Sequence, residues 1–468
     1  MTFVDSQVIN ENISLLTKTT EHLTFSNRLQ LIRKLIILAI SIASFSFSQG
    51  QTLYFPPATG NQWETVDPES LGWCTDKIGP LYNYLESINS KAFIVLKDGR
   101  IVLEKYFGTF TQDSVWYWAS AGKTLTAFMT GIAQQEGYLT INDTTSQHLG
   151  DGWTGCALPR ERKIKIWNQL TMTTGFDDGV PDNHCTLPSC LQCLADPGTR
   201  WAYHNAPYTL LEDVISAATG QSLNVYLYNK LSAVTGITGL FVQTGYDKVF
   251  FSKPRSMARF GLLVLNRGKW DNTQVMTDTS YFREMTTTSQ QLNLSYGYLW
   301  WLNGKTSFMA PGLQFVFPGS PAPHAPADMI SGLGKNGQFL NVVPGQNLVT
   351  IRLGNAPDDS DVPFLYNDSI WQRLNDVICT STPVEKEQSA GLPPQVFPNP
   401  ADIKCRVEWP GEIFGIFVSD NTGNLIAYKT ELRNHAEIDT HMLASGLYLI
   451  KLRNNSGLTV TRKLVIIH

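Results

Sequence analysis

Charge is scarce in this chain: only 16% of its 468 residues are Asp, Glu, Lys or Arg, against about 25% in soluble domains generally. The deficit is not that of a disordered polymer, because 43% of the residues are hydrophobic and 11% aromatic. Neither sign dominates. With 36 basic and 40 acidic residues the formal net charge is −4, which argues against the basic stripe of a nucleic-acid binder. Long apolar runs are also missing. Residues 35–47 (LIILAISIASFSF) form the one candidate, short of the roughly 20 residues a membrane span needs. A second Cys-x-x-Cys is absent as well, so zinc at Cys190-x-x-Cys193 would find only His184 nearby. No metal or cofactor site is expected.

What is present begins with export. Arg28, Arg33 and Lys34 lead the apolar run and Ser46-Phe47-Ser48 follows it, the pattern of a secretory signal, with a signal anchor as the alternative. The 27 residues before Arg28 are long for an n-region, so Met1 is open to being a misplaced start, although no other Met precedes Met129. An exported chain meets oxidising conditions, and disulfides become the expectation for several of the seven cysteines. Two bridges are expected among Cys156, Cys185, Cys190 and Cys193; Cys74 and Cys379 flank the central region; Cys405 is the candidate for the unpaired thiol.

Length alone suggests two or three domains, and the central region, about 60–380, reads as α+β. Residues 93–96 and 101–104 flank Lys97-Asp98-Gly99-Arg100, and Asp-Gly suits a type I′ hairpin turn. Residues 337–343 and 348–353 flank Pro344-Gly345-Gln346-Asn347 as a second hairpin. Residues 296–302 (YGYLWWL) read as a strand, and helical patterns occupy 208–219, 256–265 and 369–378. Antiparallel strands split around a helical insert make the expected architecture.

The most informative helix is expected to start at Ser120. Leu125, Phe128, Met129, Ile132 and Ala133 recur at helical spacing, so Ser120 and Lys123 share one face, a turn apart. A serine needs a base to become a nucleophile, and a buried lysine can be that base when neighbours disfavour its charge. The competing reading is an ordinary N-cap serine.

Two downstream segments decide between them. Pro197-Gly198-Thr199-Arg200-Trp201-Ala202-Tyr203-His204-Asn205 and Lys335-Asn336-Gly337-Gln338 follow in order. With Ser120 and Lys123 they resemble the beta-lactamase-related serine hydrolases, which include class C beta-lactamases, low-molecular-weight penicillin-binding proteins, esterases and amidases. The flanks 136–143 and 166–176 resemble that family too, and the resemblance covers about 80–380. It implies that Ser120 forms an acyl-enzyme, that Lys123 and Tyr203 move the proton, and that Lys335 raises the local positive potential. It further implies that Asn205 binds substrate or Lys123, and that backbone N–H groups of Ser120 and Gln338 hold the oxyanion, with Asn336 and Gly337 lining the substrate site. Asn336 stands where beta-lactam-active members carry a hydroxyl residue, and the Gly-Gln ending is closer to esterase and amidase members. His204 replaces the usual small residue and is expected in the cleft wall, with a catalytic base as the alternative. No Gly-x-Ser-x-Gly elbow occurs, which disfavours an α/β-hydrolase. Trp116, Trp118, Trp300 and Trp301 are expected in the core, with an acyl pocket as the alternative, and His324 in a loop.

The remainder divides into a linker, 381–395, and short alternating strands that suggest a small β-sandwich over 396–468. Pro398-Asn399-Pro400, the segment 443–448 (LASGLY) and Lys463-Leu464-Val465 resemble the C-terminal sorting domain of type IX secretion. The expected domains are thus a signal region to residue 50, a hydrolase domain over 51–380, the linker and the sorting domain. The expected function is a secreted, monomeric serine hydrolase acting on a small molecule or peptide through an ester, amide or D-amino-acid peptide bond. A penicillin-recognising or scaffold protein with little turnover is the alternative.

Overall fold

The computed structural model describes residues 53–355, 362–379, 394–409, 413–420, 425–430, 435–454 and 459–467. The expected signal region and nearly all of the expected linker lie outside them. The described residues fall into two compact units, one ending at Cys379 and the other starting at Pro394.

In chain order the elements of the first unit that bear on the site are α1 (Ile78–Ser87), β1 (Ser90–Lys97), β2 (Arg100–Tyr106), β3 (Trp116–Tyr117), α2 (Lys123–Gln135), α3 (Asn205–Thr219), β4 (Gly239–Thr244), β5 (Asp247–Ser252), α4 (Pro254–Leu265), β6 (Trp301–Leu302), β7 (Ile330–Gly334), β8 (Gln338–Val343), β9 (Leu348–Gly354) and α5 (Phe364–Ile378). Six strands form an antiparallel sheet in the order β2-β1-β9-β8-β7-β6. Both expected hairpins are there. Lys97 pairs with Arg100 across Asp98 and Gly99, whose φ values of 49° and 82° are those a type I′ turn requires. The Asp98 carboxylate accepts from Asn347 Nδ2 at 2.8 Å, tying the two hairpin turns together. Helix α4 packs on β1, β8 and β9, while α1 and α5 pack on each other. A smaller sheet, β3-β5-β4, stands beside the start of α2.

Two sequence expectations are corrected. Residues 296–302 are a strand only at Trp301–Leu302. Gly297 N–H bonds the Trp300 carbonyl at 2.9 Å and Leu299 takes φ 60°, so the segment is a tight turn. Its apolarity reflects burial among other aromatic rings, with Tyr296, Trp300 and Trp301 all within 3% exposure, and burial of that kind carries no strand periodicity. Helix α2 begins at Lys123, one turn later than expected. Ser120 lies in the 3₁₀ turn Ala119–Gly122 that leads into it. The spacing argument survives, because a 3₁₀ turn of three residues places i and i+3 directly above one another. Helix α2 is also buried on every side from Lys123 to Ala133. Two of its three threonines tolerate this because Thr124 and Thr130 bond carbonyls of their own chain, at Ala121 and Thr126.

Among the described residues the second unit has seven strands in two sheets: β10 (Gln395–Phe397), β11 (Lys404–Glu408) and β14 (His435–Asp439) form one, while β12 (Ile413–Asp420), β13 (Leu425–Thr430), β15 (Gly446–Asn454) and β16 (Thr459–Ile466) form the other. Val407, Ile416, Ile438, Ile450, Leu452 and Leu464 make its own apolar core. This is the small two-sheet β unit expected of the tail.

Three disulfides are present: Cys74–Cys379, Cys156–Cys193 and Cys185–Cys190. Both thiols of Cys190-x-x-Cys193 are therefore consumed, which removes the zinc alternative. Cys405 is a free, buried thiol whose pKa burial pushes up to about 11.

Candidate active site

Ser120 sits where strand, turn and helix converge. The end of β7 approaches so closely that a Cβ on Gly334 would meet the Trp118 carbonyl at 2.5 Å and the Ser120 nitrogen at 3.1 Å; only glycine lets the strand lie there. Lys123, 1% exposed, donates from Nζ to Ser120 Oγ at 2.8 Å and to Asn205 Oδ1 at 2.8 Å. Asn205 opens α3, so two helix starts deliver the groups that meet. The face of the Tyr208 ring lies 3.7 Å from Nζ and the centre of the Tyr203 ring 5.0 Å away. Burial, followed by the nearby Asp247 and Glu212 carboxyls, raises the Tyr208 phenol well above its ordinary pKa, so it stays protonated.

These groups open onto a cavity of about 330 Å³. Of the expected residues, Ser120, Lys123, Asn205, Lys335 and Asn336 line it. Tyr203 does not; it is 4% exposed, stacked on Trp301 at 5.8 Å behind the lysine. Gly337 and Gln338 do not line it either. Gln338 is buried, its amide bonding both backbone groups of Gly354 at 2.6 and 3.0 Å. Asn336, at φ 62°, donates from Nδ2 to Tyr117 Oη at 2.7 Å. His204 is 1% exposed and lies in the core rather than in the cleft wall, its pKa driven down to about 4 chiefly by burial. None of Trp116, Trp118, Trp300 and Trp301 lines the cavity; Trp118, Trp300 and Trp301 are buried in the core, while Trp116 is half-buried against its edge. His324 is in a loop, bonded to Asp368 at 2.7 Å.

Sequence reasoning missed several residues. His184 and Asp247 line the cavity as a bonded pair, Nδ1 to Oδ2 at 2.6 Å. Their separation of 63 residues leaves no local signal. Tyr117, Val249 and Phe251 add an apolar wall from the small sheet. Behind the site, Arg352 is 2% exposed and donates to the carbonyls of Asn336 and Gly337 at 2.7 and 2.8 Å, fixing the turn that carries Lys335. Burial lowers its pKa to about 10, so it is still charged at neutral pH.

A second cavity of about 330 Å³, beside Trp63, has its cations engaged: Arg255 bonds Glu104, Arg259 bonds the carbonyls of Pro57 and Thr235, and Lys253 bonds Asp113. It holds no nucleophile with a base. Among the described residues no cluster of three or more His, Cys, Asp or Glu is arranged to hold a metal ion.

Comparison with known proteins agrees with this geometry. Residues 83–372, well over half of the chain, match the profile described as "Beta-lactamase". The chain belongs to the beta-lactamase family. Residues 395–467 match a "Secretion system C-terminal sorting domain", so this family member is exported, for secretion or cell-surface attachment. A relative named "Putative penicillin-binding protein PbpX" from Bacillus subtilis is 25% identical over 195 residues, 38% of this chain. The match spans 47% of that relative, about half its length. Among solved structures, "putative beta-lactamase from Bacteroides dorei" superposes with a TM-score of 0.52 at 16% identity, covering 66% of this chain and 100% of that one. "Putative 6-aminohexanoate-dimer hydrolase from Bacillus anthracis" gives 0.53 at 18%, covering 70% and 89%. At such identities the superpositions establish the beta-lactamase fold.

Proposed function

We propose that this protein is an exported serine hydrolase that cleaves an ester, amide or D-amino-acid peptide bond through an acyl-enzyme on Ser120. The observation that carries the reading is the 2.8 Å contact between Lys123 Nζ and Ser120 Oγ at the mouth of a cavity. Ser120 Oγ attacks the substrate carbonyl carbon while its proton passes to Lys123 Nζ. The negative charge moves to the carbonyl oxygen, held by the backbone N–H of Ser120 and that of Gln338, whose strand partner Gly334 lies against Ser120 even though the Gln338 side chain is buried away from the cavity. As the tetrahedral intermediate collapses, the bond to the leaving group breaks and Lys123 returns the proton to it, with Tyr203 working on Lys123 from behind, its ring 5.0 Å from Nζ. Water then attacks the acyl carbon by the reverse path and frees Ser120.

Lys335, on the cavity lip, draws an anionic part of the substrate toward the nucleophile. Asn336 commits its amide N–H to Tyr117, where beta-lactam-active relatives keep a hydroxyl, which favours linear esters and amides over beta-lactams. The tail's role is that of an address read by the type IX secretion machinery, and the catalytic unit acts as a monomer. Intact-mass labelling with a fluorophosphonate tests the chemistry: one adduct is expected on the wild type and none on Ser120→Ala. An unlabelled wild type, or equal labelling of the variant, would sink the proposal. Nitrocefin, short p-nitrophenyl esters and a D-Ala-D-Ala peptide then rank the substrate classes.

A further inference from the structure

Asn205 has every polar atom of its amide committed. Its Oδ1 accepts from Lys123 Nζ at 2.8 Å, so Nδ2 faces the other way. There it donates to Asn183 Oδ1 at 3.0 Å and approaches His184 Nε2 at 3.1 Å. A ring nitrogen that accepts from an amide N–H carries no proton of its own, which puts the imidazole hydrogen on Nδ1. Nδ1 is the atom that meets Asp247 Oδ2 at 2.6 Å. A continuous series of bonds thus runs from the nucleophile through Lys123, Asn205 and His184 to a carboxylate.

Each outer member is itself held. The His184 N–H bonds Asp182 Oδ1 at 2.9 Å, and the Asn183 carbonyl accepts from Ala206 N–H at 3.0 Å, clamping this loop to the start of α3. The Cys185–Cys190 bridge begins at the next residue. Asp247, at the start of β5, also faces Thr209 Oγ1 at 3.4 Å, one turn along α3 from Asn205. Turning the Asn205 amide over would point its NH₂ at Lys123 and its oxygen at both the Nε2 lone pair and Asn183 Oδ1. As it stands, the amide offers Lys123 an acceptor and His184 a donor.

We propose that His184 and Asp247 are positioning residues for the reaction: Asp247 fixes the tautomer of His184, His184 with Asn183 fixes the Asn205 amide, and Asn205 holds Lys123 against Ser120. This rests on the serine hydrolase reading above. It differs from a substrate-binding role for the same pair in what it does to the kinetics. A base displaced by a fraction of an ångström lowers the chemical step, by about 10- to 100-fold, and leaves the cavity's affinity alone.

The experiment uses the full chain, a fluorophosphonate for the rate of adduct formation at Ser120, and p-nitrophenyl acetate for kcat and KM. His184→Ala is expected to slow adduct formation and lower kcat by about 10- to 100-fold with KM unchanged. His184→Gln presents an amide oxygen to Asn205 and an N–H to Asp247, and should recover most of the loss. Asp247→Ala, which leaves the disulfide loop untouched, should repeat the kcat-only loss and carries the test if His184→Ala fails to fold. Wild-type rates in the alanine variants, a rise in KM alone, or a glutamine variant no better than alanine would each overturn the positioning role. A wild type that takes no adduct at all defeats the hydrolase reading, and this inference with it.

Discussion

The cavity has two walls made by different means. The inner wall, Ser120 and Lys123, stands on a fully buried helix wedged against β7, where packing leaves the side chains little choice of place. The outer wall, His184 and Asp247, is carried by a disulfide-closed loop and the tip of a small sheet, and is held by hydrogen bonds and covalent staples. In the proposed reaction the inner wall supplies the reacting atoms and the outer wall orients them. The difference implies that the inner wall fails abruptly when altered and the outer wall by degrees.

The sharpest test of that division is Ser120→Ala, which should remove adduct formation and lower hydrolysis by about 10⁴-fold or more, with the melting temperature near that of the wild type. Next in size is a pair of tyrosines. Tyr203→Phe should lower kcat about 100-fold if its hydroxyl moves protons. Tyr208→Phe should stay near wild type, because Tyr208 presents its ring face to Lys123; equal losses in both would erase the distinction between them. The outer wall is probed by Cys185→Ser with Cys190→Ser, expected to lower kcat about 10-fold by loosening His184, while Cys405→Ser in the other unit leaves turnover unchanged.

The last effect concerns stability rather than turnover. Glu212 is fully buried on α3, and burial, with Asp213 and Asp247 adding to it, raises its carboxyl well above the usual range. The folded protein keeps a proton that the unfolded chain loses near pH 4.3. Stability therefore falls as pH rises from there toward the raised value, by about 1.4 kcal/mol per pH unit. Glu212→Gln carries no such linkage, so its melting temperature relative to the wild type should climb as pH rises above about 4.3. A constant difference would show that Glu212 is not protonated in the fold.

The same two walls differ in how far the sequence discloses them. Ser120 and Lys123 are one helical turn apart, and the apolar positions from Leu125 to Ala133 announce the helix that holds them. The Asp98-Gly99 hairpin is equally local, since its turn demands residues that tolerate positive φ. His184 and Asp247 meet only because a loop folds back on the start of α3, and no spacing rule links them. The cysteine pairing was open for the same reason: four nearby thiols allow several connectivities, and loop geometry selects among them. Residues 296–302 misled because an apolar run reports burial before it reports conformation. Arg352 was invisible, since nothing in a strand sequence says that a charged residue will be buried to brace the next turn.

The Cys74–Cys379 bridge joins residues 305 positions apart, on either side of the catalytic sheet. In the chain-entropy picture so large a ring stabilises the fold by about 5–6 kcal/mol. Topologically the catalytic unit is a closed loop of covalent bonds. A protease that nicks one of its surface loops yields two pieces that migrate as one molecule until a reductant is added. A cut beyond residue 380 releases the sorting domain and leaves that ring whole, so the tail can be removed without untying the first unit.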